Sequence, residues 1–155
     1  MTDLPEGGPE RRAAITAAIS SQTGIDEPMI ERLVKTFYAR IQVHPVLGPI
    51  FAAKIENWDE HIDKLCAFWS SVALMTGRYH GHPMRAHLRL PIAATHFDQW
   101  LALFEATARE VCPPQAAEHF LDRARRIADS FEMGLATTRG EIFSPRHSRA
   151  VTRAS

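Results

Sequence analysis

The chain has 155 residues, the usual length of a single domain, and 45% of them are hydrophobic, as in soluble globular proteins. Its 18 basic and 18 acidic residues balance, which argues against the positive surface of a general nucleic-acid-binding protein. No apolar run reaches the roughly 18 residues of a membrane-spanning helix, and the N-terminus lacks the apolar stretch of an export signal. The sequence therefore predicts a cytoplasmic protein without a nucleic-acid or membrane partner.

The two cysteines form no metal-binding motif. Cys66 lies among core-type positions of a helical pattern, and Cys112 stands alone near a pair of prolines. Unpaired cysteines of this kind usually behave as small hydrophobic residues in a reducing compartment. We expect Cys66 to be a buried, unreactive thiol.

The first third of the chain predicts an extension followed by an amphipathic helix. Residues 1–24 are expected to be an N-terminal extension, partly disordered, with a short helix over 11–20. Asp26 is a candidate N-cap, and apolar residues then recur at three- and four-residue spacing, so a helix is predicted to about Val43. The two prolines and the glycine in residues 44–51 predict a tight turn or a single helical turn that delivers Phe51 inward.

The middle of the chain carries two histidines on neighbouring helical patterns. A helix is predicted over about 58–75, with His61 on or beside its apolar face. A loop with two glycines follows, and a short helix begins near Pro83 and ends before Pro91. On this short helix His87 shares a face with Met84 and Leu88, because positions three and four apart are neighbours.

The last third predicts two longer helices. Residues 94–111 show apolar positions at helical spacing, and a second stripe begins after Pro113 and continues to about residue 138. No segment shows the alternation of a strand. The sequence therefore predicts an all-α domain over residues 25–138, with a flexible C-terminal tail over 139–155.

The two histidines suggest a pocket between facing helices. His87 and His61 lie among aromatic and aliphatic residues, which is typical of a site for a flat, apolar, metal-bearing ligand such as haem, where one neutral imidazole is a common iron ligand. Spacing alone leaves another interpretation open, since a single histidine on an apolar face is more often an ordinary core or boundary residue.

A set of motifs in fixed order narrows that choice. They are F-Y (37–38), L-G-P-I-F (47–51), W-D-E-H (58–61), F-W (68–69), G-H-P-M-R-A-H (81–87), L-P-I (90–92) and H-F-D-Q-W-L-A-L-F (96–104). In this order and spacing the chain resembles the truncated haemoglobins, specifically their third group, over about residues 25–138. The resemblance implies a two-over-two helical sandwich that encloses haem b.

The resemblance also implies roles for single residues. His87 matches the proximal iron ligand, and the distal ligand-stabilising residues would be Tyr38, His61 and Trp100. The positions that match the haem lining are Phe51, Leu65, Phe68 and Trp69. Met84 and Leu88 share a face of the short helix with His87, so they are expected to line the haem as well. Arg78 or Arg85 is a candidate partner for the haem propionates, although a solvated surface arginine is an equally good interpretation.

Three functions remain compatible with the sequence. The first is a haem protein that reversibly binds O2, and also NO, CO or other small ligands, for transport or storage. The second is an enzyme that uses bound O2 or peroxide, such as a nitric oxide dioxygenase or a peroxidase-like protein, supplied by an external reductase. The third is a helical interaction module without haem.

Overall fold

Helices account for almost all of the described chain. The computed structural model describes residues 8–87 and 90–141, without the side chains of Arg85 and Ala86. Its helices are α1 (Pro9–Thr23), α2 (Glu27–Gln42), α3 (Leu47–Ala52), α4 (Trp58–Leu74), α5 (Pro83–His87), α6 (Ala94–Val111) and α7 (Pro114–Thr138). The described residues contain no strand, so the prediction of an all-α fold is confirmed. None of these helices is long and apolar enough to cross a membrane.

Local capping sets the helix starts that the sequence predicted. The Asp26 carboxylate accepts a hydrogen bond from the backbone N–H of Met29 at 2.9 Å, and so caps α2. The Asn57 side chain caps α4 in the same way, by accepting from the backbone N–H of Glu60 at 3.1 Å. Both caps supply partners for N–H groups that have none within the helix.

The observed α1 is longer than the predicted helix over 11–20. It begins at Pro9, whose fixed φ suits a first helical turn, and it ends where Gly24 adopts a left-handed φ of 76°. No residue of α1 is buried, but the Thr16 hydroxyl donates to the carbonyl of Leu74 at 2.6 Å. This bond holds α1 against the C-terminal end of α4.

The long helices form two packed layers. In one layer α2 packs on α4, in the other α6 packs on α7, and α2 and α4 contact α6 and α7 respectively across the layers. The core between them contains stacked and edge-on aromatic rings, including Phe37, Trp69, Phe104 and Phe120. This is the predicted two-over-two sandwich.

Cys66 differs from its prediction. It is half-buried rather than buried, and the carboxylates of Glu31 and Asp63 lie close enough to act on its thiol. Cys112 is buried at the end of α6. Burial raises the pKa of both thiols above the usual value, so both favour the protonated form.

Candidate haem site

A cavity of about 700 Å³ is lined by residues from α2, α3, α4, α5, α6 and α7. Its lining is predominantly aromatic and aliphatic, with a few histidines and charged side chains. Residues that belong to different helices, such as Tyr38, His61, His87 and Trp100, all face this one space. A pocket that is mostly apolar with a few polar groups is typical of a cofactor or small-molecule site.

His87 lies on α5 with one ring nitrogen already engaged. Its Nδ1 lies 2.5 Å from the carbonyl oxygen of Pro83, which can only accept, so Nδ1 carries the proton. Burial lowers the pKa of His87, and the bond to the Pro83 carbonyl opposes that effect. The ring also packs against Phe131 of α7, with centroids 4.6 Å apart. His87 is therefore a neutral imidazole with its Nε2 lone pair available.

Tyr38 and Trp100 form a polar pair in the same cavity. Tyr38 is 4% exposed, and burial raises the pKa of its hydroxyl far above the usual value. The Trp100 indole N–H, a donor beside the Tyr38 oxygen, opposes this rise. Since an indole N–H can only donate, the Tyr38 oxygen is the acceptor, and the hydroxyl keeps its own proton for another partner.

His61 lies next to this pair on α4. Its ring is edge-on to Tyr38 and to Trp58, with centroids 6.2 Å and 5.8 Å away. Burial is the largest cause of its lowered pKa, and the positive charge of Lys64 and the proximity of His87 lower it further. His61 is therefore also neutral, and can donate one N–H into the cavity.

Four of the predicted lining residues face the cavity, and the others do not or lie outside the description. Those that line it are Phe51, Leu65, Phe68 and Trp69. Met84 is not among the lining residues. Leu88 and the side chain of Arg85 lie outside the described residues, so their predicted roles stay predictions.

Arg78 pairs with a carboxylate and does not line the cavity. Its Nη1 lies 2.6 Å from Oε1 of Glu27, and it is not one of the lining residues. The Glu27 carboxylate also accepts from the buried Ser70 hydroxyl at 2.8 Å. This network joins the start of α2 to the end of α4 and to the loop that leads to α5.

Several lining residues were not predicted from the sequence. Lys54 and Lys64 bring positive charge to the cavity, and Tyr79, His96 and Phe131 complete its walls. Lys64 follows His61 by three residues, so helical spacing alone places the two on neighbouring positions of α4. Phe131 was predicted only as part of the apolar stripe of α7.

The comparisons with known proteins agree with this geometry. A family model described as "Bacterial-like globin" matches residues 21–132. The "Group 3 truncated hemoglobin ctb" of Campylobacter jejuni is 35% identical over 113 residues, an alignment that covers 70% of this chain and 89% of that protein. The "Group 2 truncated hemoglobin YjbI" of Bacillus subtilis is 40% identical over 81 residues, covering 50% of this chain and 61% of that protein.

A solved structure shows the same fold. The crystal structure of group III truncated haemoglobin from Campylobacter jejuni superimposes with a TM-score of 0.68 at 34% sequence identity, covering 72% of this chain and 91% of that one. The chain thus belongs to the bacterial-like globin family. Within that family it is similar to the third group of truncated haemoglobins, and its function is ligand binding through haem.

The residues present fit a haem group. A neutral imidazole with a fixed tautomer is what haem iron requires on one side. Aromatic and aliphatic side chains, among them Phe68 and Phe97, offer apolar surface to a porphyrin, and Lys54 and Lys64 offer positive charge to its carboxylates. The donor set of the cavity and its size therefore agree with the cofactor that the family implies.

Proposed function

We propose that this globin binds haem b and holds O2, or another diatomic gas such as NO or CO, for transport or storage. The observation that carries the proposal is the His87 imidazole, which faces a cavity of about 700 Å³ with Nδ1 paired to the Pro83 carbonyl. When bound there, ferrous haem supplies an iron that takes a diatomic ligand and shifts negative charge onto it.

His87 would hold the iron through Nε2. The Pro83 carbonyl keeps the proton on Nδ1, which is the tautomer that axial ligation requires. The lowered pKa of His87, caused by burial, disfavours the charged ring that could not coordinate a metal. The contact with Phe131 restricts rotation of the ring. These features would let His87 hold the iron of a bound haem through Nε2.

Tyr38 and His61 would stabilise the ligand by hydrogen bonding, and Trp100 would act through Tyr38. The Tyr38 hydroxyl accepts from Trp100 and so directs its own proton elsewhere, and the neutral His61 ring retains one N–H donor. Because these groups are buried or half-buried, a hydrogen bond to a partly charged ligand is stronger there than in water. The polar part of the lining thus favours retention of a ligand that carries negative charge.

Lys54 and Lys64 would pair with the haem propionates. Both belong to the lining, and Lys64 lies 3.6 Å from Glu60, a long ion pair on the exposed surface of α4. Such a pair contributes little to stability, so the ammonium group can turn to a propionate at small cost. Arg78, by contrast, is held by Glu27 at 2.6 Å.

A second function uses the same donors. An enzyme that oxidises NO with bound O2, or that reduces peroxide, also requires a polar group beside the ligand, and the neighbouring Tyr38 and Trp100 would supply one. Electrons for repeated turnover would come from an external reductase. Consumption of NO by the oxygenated protein over many cycles, with a reductase present, would distinguish this enzyme from a carrier that reacts only once.

Absorption spectra test the main proposal. The wild-type protein reconstituted with haem should show a Soret band that changes between the ferric, ferrous and CO-bound forms. In His87→Gly the normal axial ligation should be lost and should return when imidazole is added. The control is His82→Ala, which removes an exposed histidine from the loop before α5 and should leave the spectra unchanged.

Two results would contradict the proposal. Normal axial ligation in His87→Gly would show that another residue holds the iron. A wild-type protein that stays colourless after reconstitution would exclude haem binding and favour a helical interaction module.

A further inference from the structure

The backbone of Leu90 and Ile92, shortly after α5, is held by a residue far along the chain. Arg139, at the C-terminal end of α7, donates from Nη1 to the carbonyl of Ile92 at 2.7 Å and from Nη2 to the carbonyl of Leu90 at 3.0 Å. The planar guanidinium presents its donors in a fixed fork, so it fixes the separation of the two carbonyls. Arg139 lies beyond residues 21–132, which the globin family model matches.

Backbone hydrogen bonds connect this fork to His87. The N–H of Leu90 donates to the carbonyl of His87 at 3.1 Å, and the N–H of Ile92 donates to the carbonyl of Leu90 at 2.9 Å. Pro91 lies between them, has no N–H and holds a fixed φ, which further limits the segment. A continuous series of hydrogen bonds therefore runs from the Arg139 side chain to the backbone of His87.

The held segment is also part of the cavity. Leu90 and Ile92 both belong to the lining, together with His87. The same helix that carries Arg139 also carries Phe131, whose ring packs on the His87 ring at 4.6 Å. Arg139 is the C-cap of α7 and lies about two helical turns beyond Phe131. Helix α7 thus contacts both the ring of His87 and the backbone that follows it.

We propose that Arg139 is a positioning residue for His87, which sets the position of the imidazole relative to the cavity by anchoring the Leu90–Ile92 backbone to α7. The part of this proposal that concerns the iron rests on the proposed function of His87 as axial ligand. The anchoring itself is a property of the protein chain and needs no cofactor. The two parts can therefore be tested separately.

The anchoring part is tested in the protein without haem. Amide hydrogen exchange at Leu90 and Ile92, followed by NMR, should become about tenfold faster in Arg139→Met, because the two hydrogen bonds to the carbonyls of these residues are lost. A tenfold change corresponds to about 1.4 kcal/mol. Arg139→Lys keeps the charge but replaces the fork by a single ammonium, so an intermediate rate is expected. The control is Arg126→Met, which removes a 72% exposed cation of the same helix that pairs with Asp122.

The positioning part is tested in the ferrous, ligand-free protein with haem. Resonance Raman spectra report the stretching frequency of the bond between iron and histidine, which depends on the position of the imidazole. This band should shift or broaden in Arg139→Met, recover in part in Arg139→Lys, and stay in place in Arg126→Met. A residue that served stability alone would not move it.

Each outcome decides one part. Unchanged exchange at Leu90 and Ile92 in Arg139→Met would overturn the anchor. Faster exchange with an unmoved iron–histidine band would overturn the positioning of His87. A wild-type protein without such a band would overturn the proposed function and with it the positioning part, whereas the exchange rates would still decide the anchor.

Discussion

His87 and His61 line one cavity and yet are held in different ways. The Pro83 carbonyl oxygen, 2.5 Å from Nδ1 of His87, fixes the proton and the direction of the His87 ring. The His61 ring instead lies nearly perpendicular to the rings of Tyr38 and Trp58. Burial lowers the pKa of both rings, so charge does not distinguish them. The proposed difference in role, ligand against hydrogen-bond donor, therefore follows from hydrogen bonding and position.

Among single residues, Tyr38 should have the largest effect on the release of O2. Tyr38→Phe should raise the O2 dissociation rate by more than tenfold, because a charge-assisted hydrogen bond contributes roughly 1.5–3 kcal/mol and its loss falls on dissociation. Trp100→Phe should raise the rate less, since Trp100 acts through the Tyr38 oxygen. Stopped-flow release of O2 from the ferrous protein measures both rates.

A double variant serves as the control for this prediction. If Trp100 acts through Tyr38, then the rate in Tyr38→Phe/Trp100→Phe should equal that of Tyr38→Phe alone, a non-additive result. Additive effects would mean that Trp100 donates to the ligand independently. Wild-type dissociation in both single variants would remove the two residues from ligand stabilisation.

Lys64 gives the second prediction. Lys64→Met should speed the loss of haem by up to about fivefold, because an exposed pairing with a propionate contributes roughly 0.2–1 kcal/mol. Transfer of haem to an excess of apomyoglobin measures this rate. The matched control is Lys35→Met, which breaks a 2.5 Å ion pair with Glu31 outside the cavity lining. Equal loss from both variants would show that Lys64 does not hold the cofactor.

At the scale of elements, the junction of α2 and α3 places Phe51 in the cavity. A side chain at Gly48 would lie 2.8 Å from the backbone oxygen of Gln42 and 3.2 Å from that of Ile41, so the two helices approach too closely for one. The short α3 can pack there because Gly48 has no Cβ. Helix α3 then carries Phe51 to a ring contact with Tyr38, with centroids 5.8 Å apart.

Gly48→Ala should therefore lower the free energy of unfolding by about 1–3 kcal/mol, the usual range for an overpacked site. The clash is with backbone atoms, which cannot move aside as a flexible side chain can. Urea denaturation followed by circular dichroism measures the loss. Gly8→Ala is the matched control, because its new methyl group would meet nothing within 4 Å. Equal stability of the two variants would contradict the close approach.

The helices could be predicted where a capping residue and the spacing of apolar residues mark them in the sequence. The Asp26 cap and the apolar period located α2 to within a residue of its observed end, and α6 was predicted over its observed range. The segment 44–51 was ambiguous, because its prolines and glycine suit a turn as well as a short helix. Its outcome depends on packing against α2 at Gly48, a contact that no local pattern reports.

At the scale of the whole molecule, the site brings together residues that are distant in the chain. The resemblance to the truncated haemoglobins predicted that Tyr38 and Trp100 lie beside the haem, but not that Trp100 would act on the Tyr38 hydroxyl. Lys64 was missed because a lysine on an amphipathic helix is expected to face water. Its side chain is indeed exposed, but it also lies in the lining of the cavity. Arg139 was predicted to begin a flexible tail, and its role was missed because its partners are backbone carbonyls, which have no sequence signature.

The assembled cavity links cofactor binding to the stability of the entire fold. Six helices contribute to a lining that is largely apolar, and a bound apolar cofactor would remove that surface from water. A ligand that binds the folded chain alone stabilises it by mass action, by about 4.1 kcal/mol at 1,000 times its Kd. The layers around the cavity, including α4 and α7, should share this stabilisation, because small single domains usually unfold as one cooperative unit.

Removal of haem should therefore lower the Tm by roughly 8–16 °C when haem is present at about 1,000 times its Kd, since 1 kcal/mol corresponds to about 2–4 °C in a chain of this size. Thermal unfolding followed by circular dichroism, with and without haem, measures the difference. His87→Gly should gain less from added haem, because the apolar contacts remain while the bond to iron is lost. An equal gain in both proteins would mean that burial of the porphyrin alone, without axial ligation, stabilises the fold.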